Sequence, residues 1–401
     1  MQTARLAPRP TGVIKLLFGA ALVMLFLASW IVLPAPNRAL LTLAVGAPEL
    51  SAWLALGGLV VCVATLACAR AGPLTPVTLV LSAAATVIAF SPLVRLPFVA
   101  SRFDAAMRTS LGDRFLETVP PDRRARMRPS PFAVRDLVLG VDPGGAMRVT
   151  RGILFATTGG VSLTLDVYRP ASAGRYPAVV QIYGGAWQRG APGDDATFAT
   201  YLAAHGYVVF AIDYRHAPRW RWPSQIEDVR SALDWIRHHA GEHDADASRL
   251  ALLGRSAGAH LAMLAAYEPQ AMPVAAVVSY YGPVDLTDGY RNPPRPDPLD
   301  VRAIEEAFLG GTPDQWPDRY RERRRSRICP GGFHPRCSST AAAITSSCHD
   351  SAQCSTAGCA RPGRRPCSSR FRGPSTRSTR FPTARAHSCR CITPSGSSRG
   401  H

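Results

Sequence analysis

The chain has 401 residues and a formal net charge of +18, a balance that taken whole points to nucleic acid or an anionic surface. The charge is uneven, however: residues 321–401 hold 16 arginines against 2 acidic residues, which leaves the first 320 residues at only +4. A nucleic-acid partner is therefore excluded for the body of the chain. Eight of the ten cysteines lie after position 328, so neither a disulfide framework nor a redox compartment can be read from the middle.

Three apolar runs open the chain, at about 13–33, 50–69 and 74–93. Each has about the 20 residues that cross a bilayer as a helix. A cleaved signal peptide would account for the first run alone and not for three in tandem. Residues 1–99 are thus predicted to be a membrane region with three spans, and the lipid bilayer is a predicted partner. Basic residues flank both sides of the spans and do not choose an orientation. Residues 100–150 are polar, with Arg and Pro throughout, and read as a connector.

From residue 151 the pattern changes. SLTLDVYRP alternates like a strand, AVVQIYGG and YVVFAIDY read as short buried strands, and a helix is predicted over 194–205. In PSQIEDVRSALDWIRHHA, Ile226, Val229, Leu233 and Ile236 recur at helical spacing behind an initial proline. RLALLG, SAGAHLAMLAAY and VAAVVSYYG continue as strand, helix and strand. This alternation predicts a doubly wound, mostly parallel α/β sheet with helices on both faces, whose chemistry sits at the carboxyl ends of its strands.

Two strand ends carry unusual residues. Gly254-Arg255-Ser256-Ala257-Gly258 lies between a predicted strand and a predicted helix. That is the form of a nucleophile elbow: the serine takes a strained backbone conformation, so Gly254 and Gly258 must flank it closely. The bland reading is a glycine-rich turn with an N-capping serine. Two strands earlier, Tyr183-Gly184-Gly185-Ala186-Trp187 ends a strand on paired glycines. An oxyanion needs two backbone N–H donors aimed at one point. Gly184, Gly185 and Ala186 can supply one, and Ala257 the other.

These residues, with LDVYRP, the segment Asp213-Tyr214-Arg215-His216-Ala217-Pro218, the helix holding Asp228 and Trp235, and YYGPVDL around Asp285, stand in one order over about 150–320. In that order and spacing the sequence resembles the α/β-hydrolases, in particular the esterase group of hormone-sensitive-lipase-like and BD-FAE-like carboxylesterases. The resemblance implies a serine hydrolase of carboxylic esters acting on a small-molecule ester, with Ser256 as nucleophile and no metal or cofactor. One position departs: the family has histidine where this chain has Tyr183, whose side chain reaches further. His216, His238, His239 and His260 read as surface or helix histidines, and Asp213 and Arg215 as structural. A non-catalytic membrane protein that keeps the fold for binding, and an amide or peptide hydrolase on the same machinery, remain open alternatives.

The fold implies an acid and then a base after the nucleophile, in the chain order Ser, Asp, His. Neither is identifiable here. Residues 321–401 lack apolar periodicity and are rich in Arg, Ser, Cys, Pro and Gly, so they are predicted to be a disordered tail, with the last strands of the hydrolase sheet missing. Three explanations compete: a basic tail, a cysteine-rich metal segment, and a translation in the wrong frame. The cysteines form no CxxC pair, against the second. For the third, reading the last base of each codon with the first two of the next, residues from Phe333 allow PPTLLIYGGRDHIV, and those from Phe371 allow PWAEHAF. The first is a strand and turn with an aspartate; the second carries a histidine. Both missing elements appear in the expected order.

Overall fold

The computed structural model describes residues 11–321, except 69–71, 126, 129, 131, 143, 269 and 270, together with the strand at 342–346. The chain begins with four helices: α1 (Thr11–Ser29), α2 (Arg38–Glu49), α3 (Ser51–Cys68) and α4 (Leu74–Leu111). Helices α1, α3 and α4 are long and apolar enough to cross a membrane. They pack through small residues, with Ala28, Ala55, Ala85 and Ala89 buried between them. Gly58 lies so close to Thr86 and the Ser82 carbonyl that the α3 and α4 backbones approach directly, as small residues at a helix contact allow. The buried Thr65 and Thr78 hydroxyls donate to carbonyls one turn back in their own helices, so neither hydroxyl is left unpaired. Helix α4 runs to Leu111, beyond the expected boundary at 99; helix formers continue past the apolar stretch, and its 38 residues extend about 57 Å. Helix α2 is absent from the sequence prediction because its apolar run is short; Asn37 caps it by accepting from the Leu40 N–H.

The stretch expected as a connector holds two short helices, α5 (Pro121–Arg124) and α6 (Val134–Leu139), and the start of β1 (Met147–Thr158). Then follow β2 (Val161–Pro170), β3 (Tyr176–Ile182), α7 (Ala196–Ala204), β4 (Val208–Ile212), α8 (Ser224–His239), β5 (Ala245–Arg255), α9 (Ala257–Tyr267) and β6 (Ala276–Tyr280). Helices α10 (Leu286–Arg291), α11 (Val301–Leu309) and α12 (Pro317–Arg321) precede β7 (Ala342–Ser346). The strand order is β1-β2-β4-β3-β5-β6-β7. The β1–β2 and β2–β4 pairs are antiparallel and the rest parallel. Alternate residues of the central strands face opposite sides. Val180, Ile182, Phe210 and Leu252 pack against Ile226, Val229 and Ile236 of α8 and against α9. Val179, Val209 and Leu253 pack against Ala199 and Ala203 of α7. Helices therefore cover both faces, as the alternating pattern predicts.

One strand departs from the expectation that the last strands are missing. β7 lies within the segment read as tail and pairs in parallel with β6, from Ala276 opposite Ala342 to Tyr280 opposite Ser346. The free edge of β6 offers a row of N–H and C=O groups, and a short stretch with Ile344 and Thr345 satisfies them. The expected disorder of 321–401 otherwise lies outside the described residues.

Glu305 of α11 is only 3% exposed, and its Oε2 has no hydrogen-bond partner among the described residues. Burial, reinforced by Asp285, pushes its carboxyl up to about 8. The folded state thus holds a proton that the unfolded state releases from about pH 4.5 upward, so stability falls as pH rises from there to about 8. Glu305→Gln is expected to flatten that slope and raise the melting temperature above pH 8, leaving it little changed near pH 4. Thermal melting across pH checks this; equal slopes for the two chains would refute it.

Candidate functional site

β5 ends at Arg255 and α9 begins at Ala257, so Ser256 sits at the turn between them with φ 50° and ψ −119°. A non-glycine residue in this region is strained and is held there only by its surroundings. Those surroundings are backbone. The Ser256 N–H donates to the Tyr280 carbonyl at 2.9 Å, and the Ser256 carbonyl accepts from the His260 N–H at 3.1 Å. A methyl group on Gly258 would stand 2.2 Å from the Ile182 carbonyl oxygen, and one on Gly254 would stand 2.3 Å from that of Gly258. Both positions therefore require glycine for close approach. Gly254, Ser256 and Gly258 thus form a tight strand-to-helix turn.

The β3 end comes directly against it. A Cβ on Gly184 would lie 3.3 Å from the Ser256 Cβ. Beyond it the chain turns through Gly185, Ala186 and Trp187, all at positive φ. The N–H groups of Gly184, Gly185 and Ala186 make no hydrogen bond among the described residues, and the Ala257 N–H stands in the first turn of α9, where no intrahelical acceptor exists. Trp187 fixes the loop from below: its ring stacks on Phe308 at 4.2 Å and meets the His260 edge at 5.3 Å, and its carbonyl accepts from Ala217.

Tyr183, the departure noted in the sequence, is braced from the other side. Its hydroxyl donates to Asp213 Oδ1 at 2.5 Å and lies 2.9 Å from His216 Nε2. The single phenol proton goes to the carboxylate, so His216 is the donor to the phenol oxygen and carries its hydrogen on Nε2. The Tyr183 ring stacks on Tyr214 at 4.5 Å. Burial, with Tyr214 and Asp213 nearby, raises the phenol well above its usual range. Burial lowers the His216 imidazole, against the pull of Asp213 and Asp194. His216 is therefore not a surface histidine: it is half-buried and part of this brace. The longer reach of Tyr183 is what brings Asp213 and His216 into contact with the loop. Arg215 and Asp228 pair behind it at 2.8 Å, both buried, and hold the turn after β4.

A pocket of about 380 Å³ opens over Ser256, lined by Tyr183, Gly184, Gly185, Arg189, Arg255 and Tyr281 together with Gly190, Asp194 and Asp195. Arg255 pairs with Asp195 at 2.8 Å and lies over the Phe198 and Tyr280 rings. The sequence reading passed over these charged residues, because no spacing rule links Arg255 to an acid sixty residues earlier. Among the described residues no hydrogen bond joins the Ser256 hydroxyl to a histidine, and His238 and His239 bond to carbonyls of their own helix.

Residues 165–324 match the family model described as BD-FAE. This stretch is similar to the α/β-hydrolases of the esterase group. Among similar proteins, "Probable carboxylic ester hydrolase LipM" of Mycobacterium tuberculosis is 38% identical over 138 residues, which make up 31% of this chain and 32% of that protein. Esterase LipC of the same organism is 36% identical over 173 residues, 39% of this chain and 42% of that protein. The chain thus spans less than half the length of these curated relatives. A solved hyperthermophilic esterase from Pyrobaculum calidifontis overlaps 42% of this chain and 58% of its own at 27% identity, with a TM-score of 0.37.

In the hydrolase domain the Tyr183 brace predicts a stability effect. Tyr183→Phe removes the hydroxyl and leaves the half-buried Asp213 and His216 without it, a loss of about 1–3 kcal/mol. Urea denaturation should show a lower midpoint at unchanged slope; an unshifted midpoint would mean the brace contributes nothing.

Proposed function

We propose that this chain is a serine hydrolase of carboxylic esters, fixed to a membrane by α1, α3 and α4. The observation that carries the reading is Ser256 at φ 50° on the β5–α9 turn, beside the N–H groups of Gly184, Gly185, Ala186 and Ala257, for which no acceptor stands among the described residues. The Ser256 Oγ attacks the acyl carbon of the ester. The N–H groups of Gly185 or Ala186, and of Ala257, receive the carbonyl oxygen as it gains charge. A histidine oriented by an aspartate takes the serine proton and passes it to the departing alcohol; water then releases the acid from the acyl-enzyme. No cofactor takes part in this scheme.

The same reading assigns the missing aspartate and histidine to the gene in another frame, entered close to codons 322–326. Support comes from the allowed shifted readings from Phe333 and Phe371, from the family match ending at residue 324, and from the absence of a histidine bonded to Ser256 among the described residues. Loss of the base typically costs on the order of 10⁴-fold or more in rate. The chain as written is therefore expected to hydrolyse 4-nitrophenyl acetate barely above background, and to resist a fluorophosphonate probe. Restoring the frame by one base is expected to recover both, and Ser256→Ala to abolish them again. A frame-restored chain that neither turns over ester nor takes the probe would sink the esterase reading and favour a fold kept for binding.

A further inference from the structure

The three candidate spans and the Ser256 pocket are joined through one short route, and its direction bears on where the substrate comes from. This inference rests on the membrane-anchored esterase reading. α4 leaves the apolar region at its carboxyl end, on the same side as the start of α3, because α3 and α4 run as consecutive antiparallel spans. The chain then returns: the Trp53 indole, in the first turn of α3, donates to the Val138 carbonyl of α6 at 3.0 Å. Trp53 is half exposed at that end, where tryptophan favours the headgroup level. α6 is thus held beside the bilayer surface, and residues 140–146 join its end at Leu139 to the start of β1 at Met147.

The sheet register shows which end of the domain they reach. Met147 at the start of β1 pairs with Pro170 at the end of β2, and the Ala171 N–H donates to the Ala146 carbonyl. β2 runs antiparallel to β4, with Tyr168 opposite Val209 near the β4 start and Leu165 opposite Ile212 at the β4 end. Gly144 lies against Ala204 and His205, at the carboxyl end of α7 just before β4. The connector therefore enters at the amino-terminal ends of the parallel strands. Ser256 follows the last residue of β5, and Arg255 there pairs with Tyr280, the last of β6, so the pocket lies at the opposite ends. The seven residues of β3 separate the two ends by about 20 Å.

Both ends carry apolar and charged side chains. Near the connector, Leu139, Val141, Val149 and Tyr207 are exposed, and Arg148 and Arg175 pair with Asp244 and Asp246 at the strand starts. At the mouth, Arg189, Asp194, Asp195 and Arg255 line the pocket, and Tyr281 and Val284 are exposed. The placement therefore follows from the connector route and the strand register.

We propose that the hydrolase domain stands on the bilayer by the amino-terminal ends of its parallel strands, and that Ser256 takes a water-borne ester from the far side rather than a lipid ester diffusing within the membrane. The full chain in nanodiscs tests the placement without any need for catalysis. A coumarin-bearing amino acid is placed at exposed Ala171 on the connector end, or at exposed Val284 just beyond β6 on the mouth end, with rhodamine on the lipid headgroups as energy acceptor. Transfer from position 171 should exceed that from position 284 by about twofold or more, as an offset of about 20 Å implies. Equal transfer from both positions, or stronger transfer from 284, overturns the placement. In vesicles, the frame-restored chain should hydrolyse 4-nitrophenyl acetate freely and leave a long-chain diacylglycerol in the bilayer untouched; faster turnover of the diacylglycerol overturns the substrate assignment. If Ser256 takes no probe in either case, the esterase reading fails while the optical result stands by itself.

Discussion

The site depends on how closely the first turn of α9 approaches the end of β3. Gly258 lies so near the Ile182 and Tyr183 carbonyls that no side chain fits between. That contact holds the β5–α9 turn tight, and the tight turn in turn holds Ser256 at positive φ. The same contact brings the β3 loop alongside the serine. Ser256 and the N–H groups of Gly184, Gly185 and Ala186 are thus positioned by one packing constraint between backbones, which rotamer changes in the side chains around it do not loosen.

Much of this was legible in the sequence, for identifiable reasons. The central strands are buried on both faces and read as unbroken apolar runs, and α8 shows its four core residues at helical spacing; both periods follow from local geometry. Glycine at 254 and 258 is legible because nothing else fits. What escaped is what depends on tertiary contact. β1 begins inside a stretch that looks like a polar linker because it is largely exposed and twisted, with register shifts against β2. β7 pairs through backbone groups that any sequence carries. His216 looks like a surface histidine until Tyr183 reaches it, and the Arg255–Asp195 pair joins the end of β5 to the residue before α7. The tail was read from what it lacks, and β7 is the part of that reading the fold amends.

The chain has two kinds of interior. Between α1, α3 and α4, alanine, serine and threonine are buried while many large apolar residues are exposed, the arrangement expected of helices long and apolar enough to cross a membrane. In the hydrolase domain Ile182, Phe210, Ile212 and Leu252 are buried, as in any fold driven by water. The changeover falls between α4 and β1, where α6 touches α3 through the Trp53 indole.

The brace formed by Tyr183, Asp213 and His216 has a consequence for the order in which the domain is made. Tyr183, Asp213 and His216, with Arg215 and Asp228 behind them, lie ahead of Ser256 in the chain, whereas the Trp187 stack is completed by His260 and Phe308, which follow it. A ribosome that has passed Phe308 has already delivered the acceptor half of the site, its strained serine and its ring stack included. Whatever follows Phe308 in the chain meets a turn and a loop already in place.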